Sequence, residues 1–239
     1  MGRAFEFRKA RKMKRWAGMA KTFTRVGREI SIAVKEGGGD PAYNARLRVA
    51  IQNAKAANVP KSNIESAIKK ALSKDSANYE EVIFEGYAPH GVAVVLECAT
   101  DNNNRTVANV RHVFSKYGGS LGTSGSVEFM FDRKCVFKLK QEAVADTEEL
   151  ELELIDHGLE EIKTEDEEVL IYGAFTDFNT LQKAIEEKGL EVVSSEFERI
   201  PSHTKTLTDE QVDEVIKLID KMEEDEDVTN VFHLSLIHI

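Results

Sequence analysis

The residues in this chain best suited to acid–base chemistry are His90, Asp101, Asn102 and Arg105, which could crowd one cleft. Structural duties explain each of them. His90 belongs to the turn Gly86-Tyr-Ala-Pro-His-Gly91, and Asn102-Asn103-Asn104 supplies caps for a following helix. An enzyme is therefore not expected. The two cysteines, Cys98 and Cys135, show no CxxC spacing and read as buried, reduced thiols. The six histidines are scattered without a ligand pattern, so neither a metal nor a cofactor is expected. Gly37-Gly38-Gly39 could cradle phosphate through backbone N–H groups, but it lacks the GxxxxGK[ST] pattern and reads as a helix stop. Gly118 to Gly125 lacks a following lysine and reads as a connector.

What remains is charge. Residues 1–76 hold 18 Lys and Arg against 6 Asp and Glu, whereas residues 77–239 hold 14 against 36. The overall net charge of −10 thus joins a segment of +12 to a segment of −22. That asymmetry points to a polyanionic partner for one part only. The candidate phosphate contacts are Arg8, Arg11, Lys14, Lys21, Arg25, Arg28, Lys35, Arg46, Arg48, Lys55, Lys61, Lys69 and Lys70. Lys14, Lys21, Arg25, Arg28 and Lys35 fall close to one line along a helix. The opposite side carries Trp16, Met19, Ala20, Phe23, Val26, Gly27, Ile30 and Val34 at helical spacing. A merely solvated face usually mixes both signs, but here only Glu29 and Glu36 interrupt the cations.

These cations need elements to hold them. Residues 8–36 read as one helix, stopped by the glycine triplet. Asp40 as N-cap and Pro41 at the first helical position start a second, which buries Leu47, Ala50, Ile51 and Ala54. A capping box, Ser62-Asn-Ile-Glu65, opens a third helix with Ile64, Ile68 and Leu72 inward. The period then changes to strands at 82–85 and 92–98, a helix at 105–117 and a strand at 126–131. Strand, helix, strand, strand, helix, strand follow between Cys135 and Arg199, the ferredoxin-like pattern. A last helix from Thr208, with Val212, Val215, Ile216 and Ile219 inward, precedes a strand at 228–232. The expected fold class is α+β: a three-helix N-terminal domain, then two α/β domains, the ferredoxin-like third inserted in the second. The expected limits are 1–76, then 80–131 with 206–233, and 132–205. Residues 234–239 read as translated adaptor sequence and are set apart.

Many short pieces in one order resemble the YebC/PmpR family. They include Lys21-Thr-Phe-Thr24, Glu36-Gly-Gly-Gly-Asp-Pro41, Asn44-Ala-Arg-Leu-Arg48, Ala54-Lys-Ala-Ala-Asn-Val-Pro-Lys61, Glu85-Gly-Tyr-Ala-Pro-His-Gly91, Thr100-Asp-Asn-Asn-Asn-Arg-Thr-Val107 and Gly118-Gly-Ser-Leu-Gly-Thr-Ser-Gly-Ser-Val127. The family's usual Gly-His-Ser-Lys-Trp opening is replaced here by residues 1–15. The resemblance implies the three-domain arrangement and a cytoplasmic, non-enzymatic regulator of gene expression. Members are generally described as DNA-binding transcriptional regulators, while others resemble translation factors acting at the ribosome.

Two partners therefore compete: promoter DNA, and the ribosome through its RNA. Phosphate contacts give affinity without base information, and no helix-turn-helix reader is evident, although Asn44, Gln52 and Asn53 keep base readout open. A body of net −22 would be repelled by a long duplex lying along it, which favours rRNA. No apolar run is long enough to span a membrane, no small-molecule substrate is evident, and a monomer is favoured over an oligomer.

Overall fold

The computed structural model describes residues 21–234 apart from 75 and 166, so Arg8, Arg11, Lys14 and the apolar positions Trp16, Met19 and Ala20 lie outside the described residues. Helix α1 is described over residues 21–37 and buries Val26, Ile30, Ala33 and Val34, an i, i+4, i+7, i+8 stripe. Helices α2 (Ala45–Ala56) and α3 (Lys61–Ala71) meet that stripe with Leu47, Ala50, Ala54, Ile64 and Ala71. Phe23, Ile51, Ala67 and Ile68 pack at its margin.

Three local expectations are corrected. Asn44, rather than Asp40, caps α2, and the helix starts four residues later than Pro41. Asn44 is buried because one amide serves three groups: its Oδ1 accepts the Leu47 N–H at 3.0 Å, and its Nδ2 donates to the carbonyls of Ala33 and Gly38 at 2.7 and 2.8 Å. It thus closes the end of α1 and opens α2 together, leaving Asp40 to hold the Ala42 N–H within the intervening turn. The capping box on α3 does not form: Pro60 precedes the helix without a side-chain cap, and Glu65 lies 3.7 Å from Lys61. Leu72 stands past the last helical turn and is 62% exposed, so Ala71 takes the inward position instead.

Beyond these helices come β1 (Glu80–Ala88), β2 (Val92–Thr100), α4 (Asn103–Lys116) and the short β3 (Ser120–Leu121). Next are β4 (Phe131–Lys140), α5 (Thr147–Leu154), β5 (Leu159–Glu165), β6 (Glu168–Ala174), α6 (Phe178–Glu187) and β7 (Val192–Pro201). Helix α7 (Asp209–Glu223) and β8 (Val228–His233) are the last described elements. Two four-stranded sheets result, ordered β3-β1-β2-β8 and β5-β6-β4-β7. The second is the ferredoxin-like arrangement and lies in sequence between β3 and β8 of the first, as the inserted α+β class requires.

By proximity the described chain divides into two compact units. One holds the residues up to Phe84, Leu96–Tyr117 and Ile216–Val231; the other holds Glu85–Val95, Gly118–Val215 and the residues from Phe232. In the second unit β4 pairs antiparallel with both β6 and β7, so that Cys135, Phe137 and Leu139 alternate onto one face. They pack with Val169 and Ile171 against Leu150, Leu154, Leu181 and Ile185 of its two helices.

Of the strand expected at 126–131 only Phe131, the first residue of β4, lies in a sheet. The buried Glu85 carboxylate accepts the N–H groups of Gly125, Val127 and Glu128 at 2.5, 2.7 and 2.8 Å, which takes those amides out of a sheet ladder. A short 3₁₀ turn, Glu128–Met130, follows. Leu234 is also corrected: it belongs to the fold, buried, with its N–H on the Ala93 carbonyl and its carbonyl accepting from Lys205 N. Residues 235–239 lie outside the described residues. Helix α7 presents Val215, Leu218, Ile219 and Met222 inward, with Val212 and Ile216 only half-buried.

Both cysteines are buried and free, and burial pushes the Cys98 thiol up to about 12 and the Cys135 thiol to about 11. Neither is expected to react with an aromatic disulfide reagent at pH 8 until denaturant is added; rapid labelling of the native protein would contradict this burial. Burial alone would raise the Glu85 carboxyl, but hydrogen bonds from Val127, Gly125 and Glu128 and the charge of Arg199 bring it below its ordinary 4.5. Its stabilisation is present above that value and lost as pH falls through the lowered one. Glu85→Gln is expected to cost about 1.5–3 kcal/mol in urea melts at pH 7, with the gap to wild type narrowing below about pH 4.5.

Candidate nucleic-acid interface

The cation line on α1 was expected to face a polyanion. In the structure Lys21, Arg25 and Arg28, in the first half of the described length of α1, face acceptors of the chain itself. Lys21 Nζ donates to the Glu223 carbonyl at 2.7 Å, and Arg25 Nε donates to the Val228 carbonyl at 3.1 Å. Arg28 is only 7% exposed. Its Nη1 donates at 2.7 Å both to the Ala99 carbonyl and to Asp227 Oδ1, while Nη2 lies 3.7 Å from Glu226. The guanidinium also lies 5.1 Å from the centre of the Tyr79 ring. Arg28, expected as a phosphate contact, is thus engaged with the Ala99 carbonyl and the buried Asp227 carboxylate, with little of it left to solvent. The i, i+4, i+7 spacing of Lys21, Arg25 and Arg28 is real, but it matches the turn between α7 and β8.

Asp227 is the hub of that turn. Its side chain is 3% exposed and accepts from five groups: Arg28, both Nε and Nη2 of Arg105, and the hydroxyls of Thr100 and Thr106, at 2.7 to 3.2 Å. Sequence order explains the convergence. Thr100 ends β2, Asn102 caps α4 by accepting the Arg105 N–H at 3.1 Å, and Arg105 and Thr106 lie in that helix's first turn. Asp101 pairs with Arg105 at 2.9 Å, so the guanidinium bridges two carboxylates. Asp101, Asn102 and Arg105 are thereby occupied in capping and pairing, and His90, in a left-handed conformation at φ +63°, faces Glu214 at 2.8 Å. A cavity of about 400 Å³ borders the hub, lined by Arg28, Tyr79, Asp101, Arg105, Asn109, Asp225, Glu226 and Asp227. None of these side chains is a thiol, hydroxymethyl or imidazole nucleophile. Asp227, Thr106 and Tyr79 were not anticipated; the acidic run Asp225-Glu226-Asp227 was the available signal.

The other expected contacts divide. Arg46 binds both carboxylate oxygens of Glu36 at 2.7 and 2.8 Å and also pairs with Glu81. Arg48 is exposed and donates from Nη1 to the carbonyls of Pro41 and Ala42 at 2.9 and 3.3 Å. Lys35, Lys55, Lys61, Lys69 and Lys70 are all exposed. The described cations open to a solvent-borne polyanion therefore lie mainly on α2 and α3 and at the end of α1.

Burial pushes the Asp227 carboxyl up, but the hydrogen bonds from Arg105, Thr106 and Arg28 outweigh it, leaving the group below its ordinary 3.8. Its contribution is full above that value and lost as pH falls through the lowered one. Asp227→Asn strands the buried Arg28 without its counter-charge and is expected to cost about 3–5 kcal/mol in chemical denaturation at pH 7. A loss under about 1 kcal/mol would show the pair to be dispensable.

Two family models cover nearly the whole chain: the TACO1/YebC protein N-terminal domain matches residues 3–74, and the TACO1/YebC second and third domain matches residues 79–234. A Flavobacterium johnsoniae protein named "Probable transcriptional regulatory protein" is 61% identical over 233 residues, covering 98% of each chain. One of the same name from Sulfurimonas denitrificans is 53% identical over 232 residues, covering 97% of this chain and 98% of its own. The crystal structure of a conserved hypothetical protein from Aquifex aeolicus, 39% identical, superposes with a TM-score of 0.77 over 91% of this chain and 90% of that one. Fold, order of elements and sequence agree, and this chain belongs to the TACO1/YebC family.

Proposed function

We propose that this chain is a non-enzymatic regulator of gene expression that binds ribosomal RNA through its basic N-terminal segment. The observation that carries the reading is the exposed set Lys35, Arg48, Lys55, Lys61, Lys69 and Lys70, in a segment of net +12 joined to a body of net −22. Exposed cations supply affinity for phosphate, while a strongly acidic body repels a long duplex and tolerates a locally exposed one. Arg8, Arg11 and Lys14 join the set by sequence. The working limits are 1–76 for the binding domain, 80–131 with 206–233 for the acidic domain and 132–205 for the insert. The family-model boundaries at 74 and 79 support the first of these. No helix among the described residues is long and apolar enough to cross a membrane, and a cytoplasmic site of action suits this reading.

The names of the relatives, which call them probable transcriptional regulatory proteins, favour a second reading, in which this chain would act on promoter DNA. Sedimentation of cell lysate through sucrose separates the two. Co-migration with ribosomes that survives DNase and is abolished by RNase is expected. Absence from ribosomal fractions, with retention of one promoter fragment against scrambled competitor, would instead establish the second reading.

A further inference from the structure

Tyr43 is 89% exposed, the most exposed large apolar side chain among the described residues. Scattered apolar side chains on a surface need no explanation. This one differs because the turn beneath it is held from several directions. The Tyr43 and Asn44 N–H groups both bond to the Asp40 carbonyl, at 3.2 and 3.1 Å. The Asp40 carboxylate accepts the Ala42 N–H at 2.9 Å, and Arg48 holds the carbonyls of Pro41 and Ala42. On the C-terminal side, Asn44 is buried and locked to α1. A second exposed apolar side chain, Leu72, borders the same turn, since a Cβ built on Gly39 would stand 2.8 Å from its Cδ1. The backbone is therefore fixed while the ring is offered to solvent.

The segment that carries this turn is cationic. Residues 35–74 carry eight Lys and Arg against three Asp and Glu, and Arg48 places its guanidinium against the turn itself. A pre-ordered aromatic ring within a cationic surface is the arrangement by which proteins bind single-stranded nucleic acid: the cations track the backbone and the ring takes an unpaired base. In a duplex the base faces are already stacked on one another and closed to such a ring. A fixed turn also lowers the ordering cost of binding.

We propose that Tyr43 is a stacking platform for an unpaired nucleobase, with Arg48 beside it contacting the adjoining phosphate. This rests on the nucleic-acid reading above and narrows the partner to an unpaired stretch.

The test uses the full chain in fluorescence anisotropy with a labelled single-stranded 12-mer and with its duplex at fixed salt, for wild type, Tyr43→Phe and Tyr43→Ala. Tyr43→Ala should weaken single-strand binding by about 5- to 150-fold, the range found when a stacking aromatic is removed. Tyr43→Phe should stay within about twofold of wild type, because the ring face is retained. Since the side chain is almost fully exposed, thermal melting should be the same in all three. The salt dependence should also be the same, because no charge is removed. Unchanged single-strand affinity in Tyr43→Ala, with wild type binding normally, would overturn the platform and leave the nucleic-acid reading standing. Equal weakening on duplex and single strand would likewise overturn it. If wild type shows no salt-dependent affinity for either probe, both readings fail together.

Discussion

The arrangement of the first unit depends on one buried carboxylate. Asp227 lies in the turn just before β8, and its two oxygens gather α1 through Arg28, the end of β2 through Thr100, and α4 through Arg105 and Thr106. A carboxylate this far from water is costly to bury unless its lone pairs are filled, and here five donors fill them. The same is true of Arg28 from the other side, whose burial is tolerable only with the Ala99 carbonyl, Asp227 and the Tyr79 ring around it. Each element thus requires the others to be in place before its polar groups are satisfied.

This constraint decides which cations are left for a partner. A helix carrying Lys21, Arg25 and Arg28 on one line has a single direction in which that line can point. The chain directs it at the carbonyls and carboxylates of the α7–β8 turn. Glu85 plays a comparable part in the second unit: it occupies the amides of Gly125, Val127 and Glu128, which an external anion would otherwise have found in a glycine-rich loop. Two internal carboxylates therefore claim two positions that resembled anion sites. The exposed cations that remain are spread over α2, α3 and the end of α1, next to the turn that carries Tyr43.

Much of the fold could be read from the sequence because it rests on period. The α1 stripe, the alternation through Cys135, Phe137 and Leu139 and the strand–helix order of the insert all follow from side-chain direction in helices and strands. What was missed depended on contacts and helix ends that side-chain period does not carry. Asn44 outcompetes Asp40 as a cap because two carbonyls of the preceding helix region also need its amide, and nothing local announces that. Leu72 has a helical spacing but falls one residue past the helix, so periodicity assigned it inward while the chain turned away. The residues 126–131 have strand composition, yet a carboxylate forty residues earlier removes their N–H groups. The partners of the cation line were hidden for the same reason: spacing shows that Lys21, Arg25 and Arg28 share a face, but not which acceptors lie opposite.

The claim that the Asp227 turn consumes one cation set and leaves another is tested most directly by the slope of log K against log salt for a single-stranded oligonucleotide. Two variants are compared, one with Arg48, Lys55, Lys69 and Lys70 changed to Ala, the other with Lys21 and Arg25 changed to Ala. At about 0.7 of a unit per phosphate contact, the first should flatten the slope by about 3, and the second should leave it within about 0.5 of wild type. An unchanged slope in the first variant together with a flattening of more than 1 in the second would contradict the assignment and return the interface to α1.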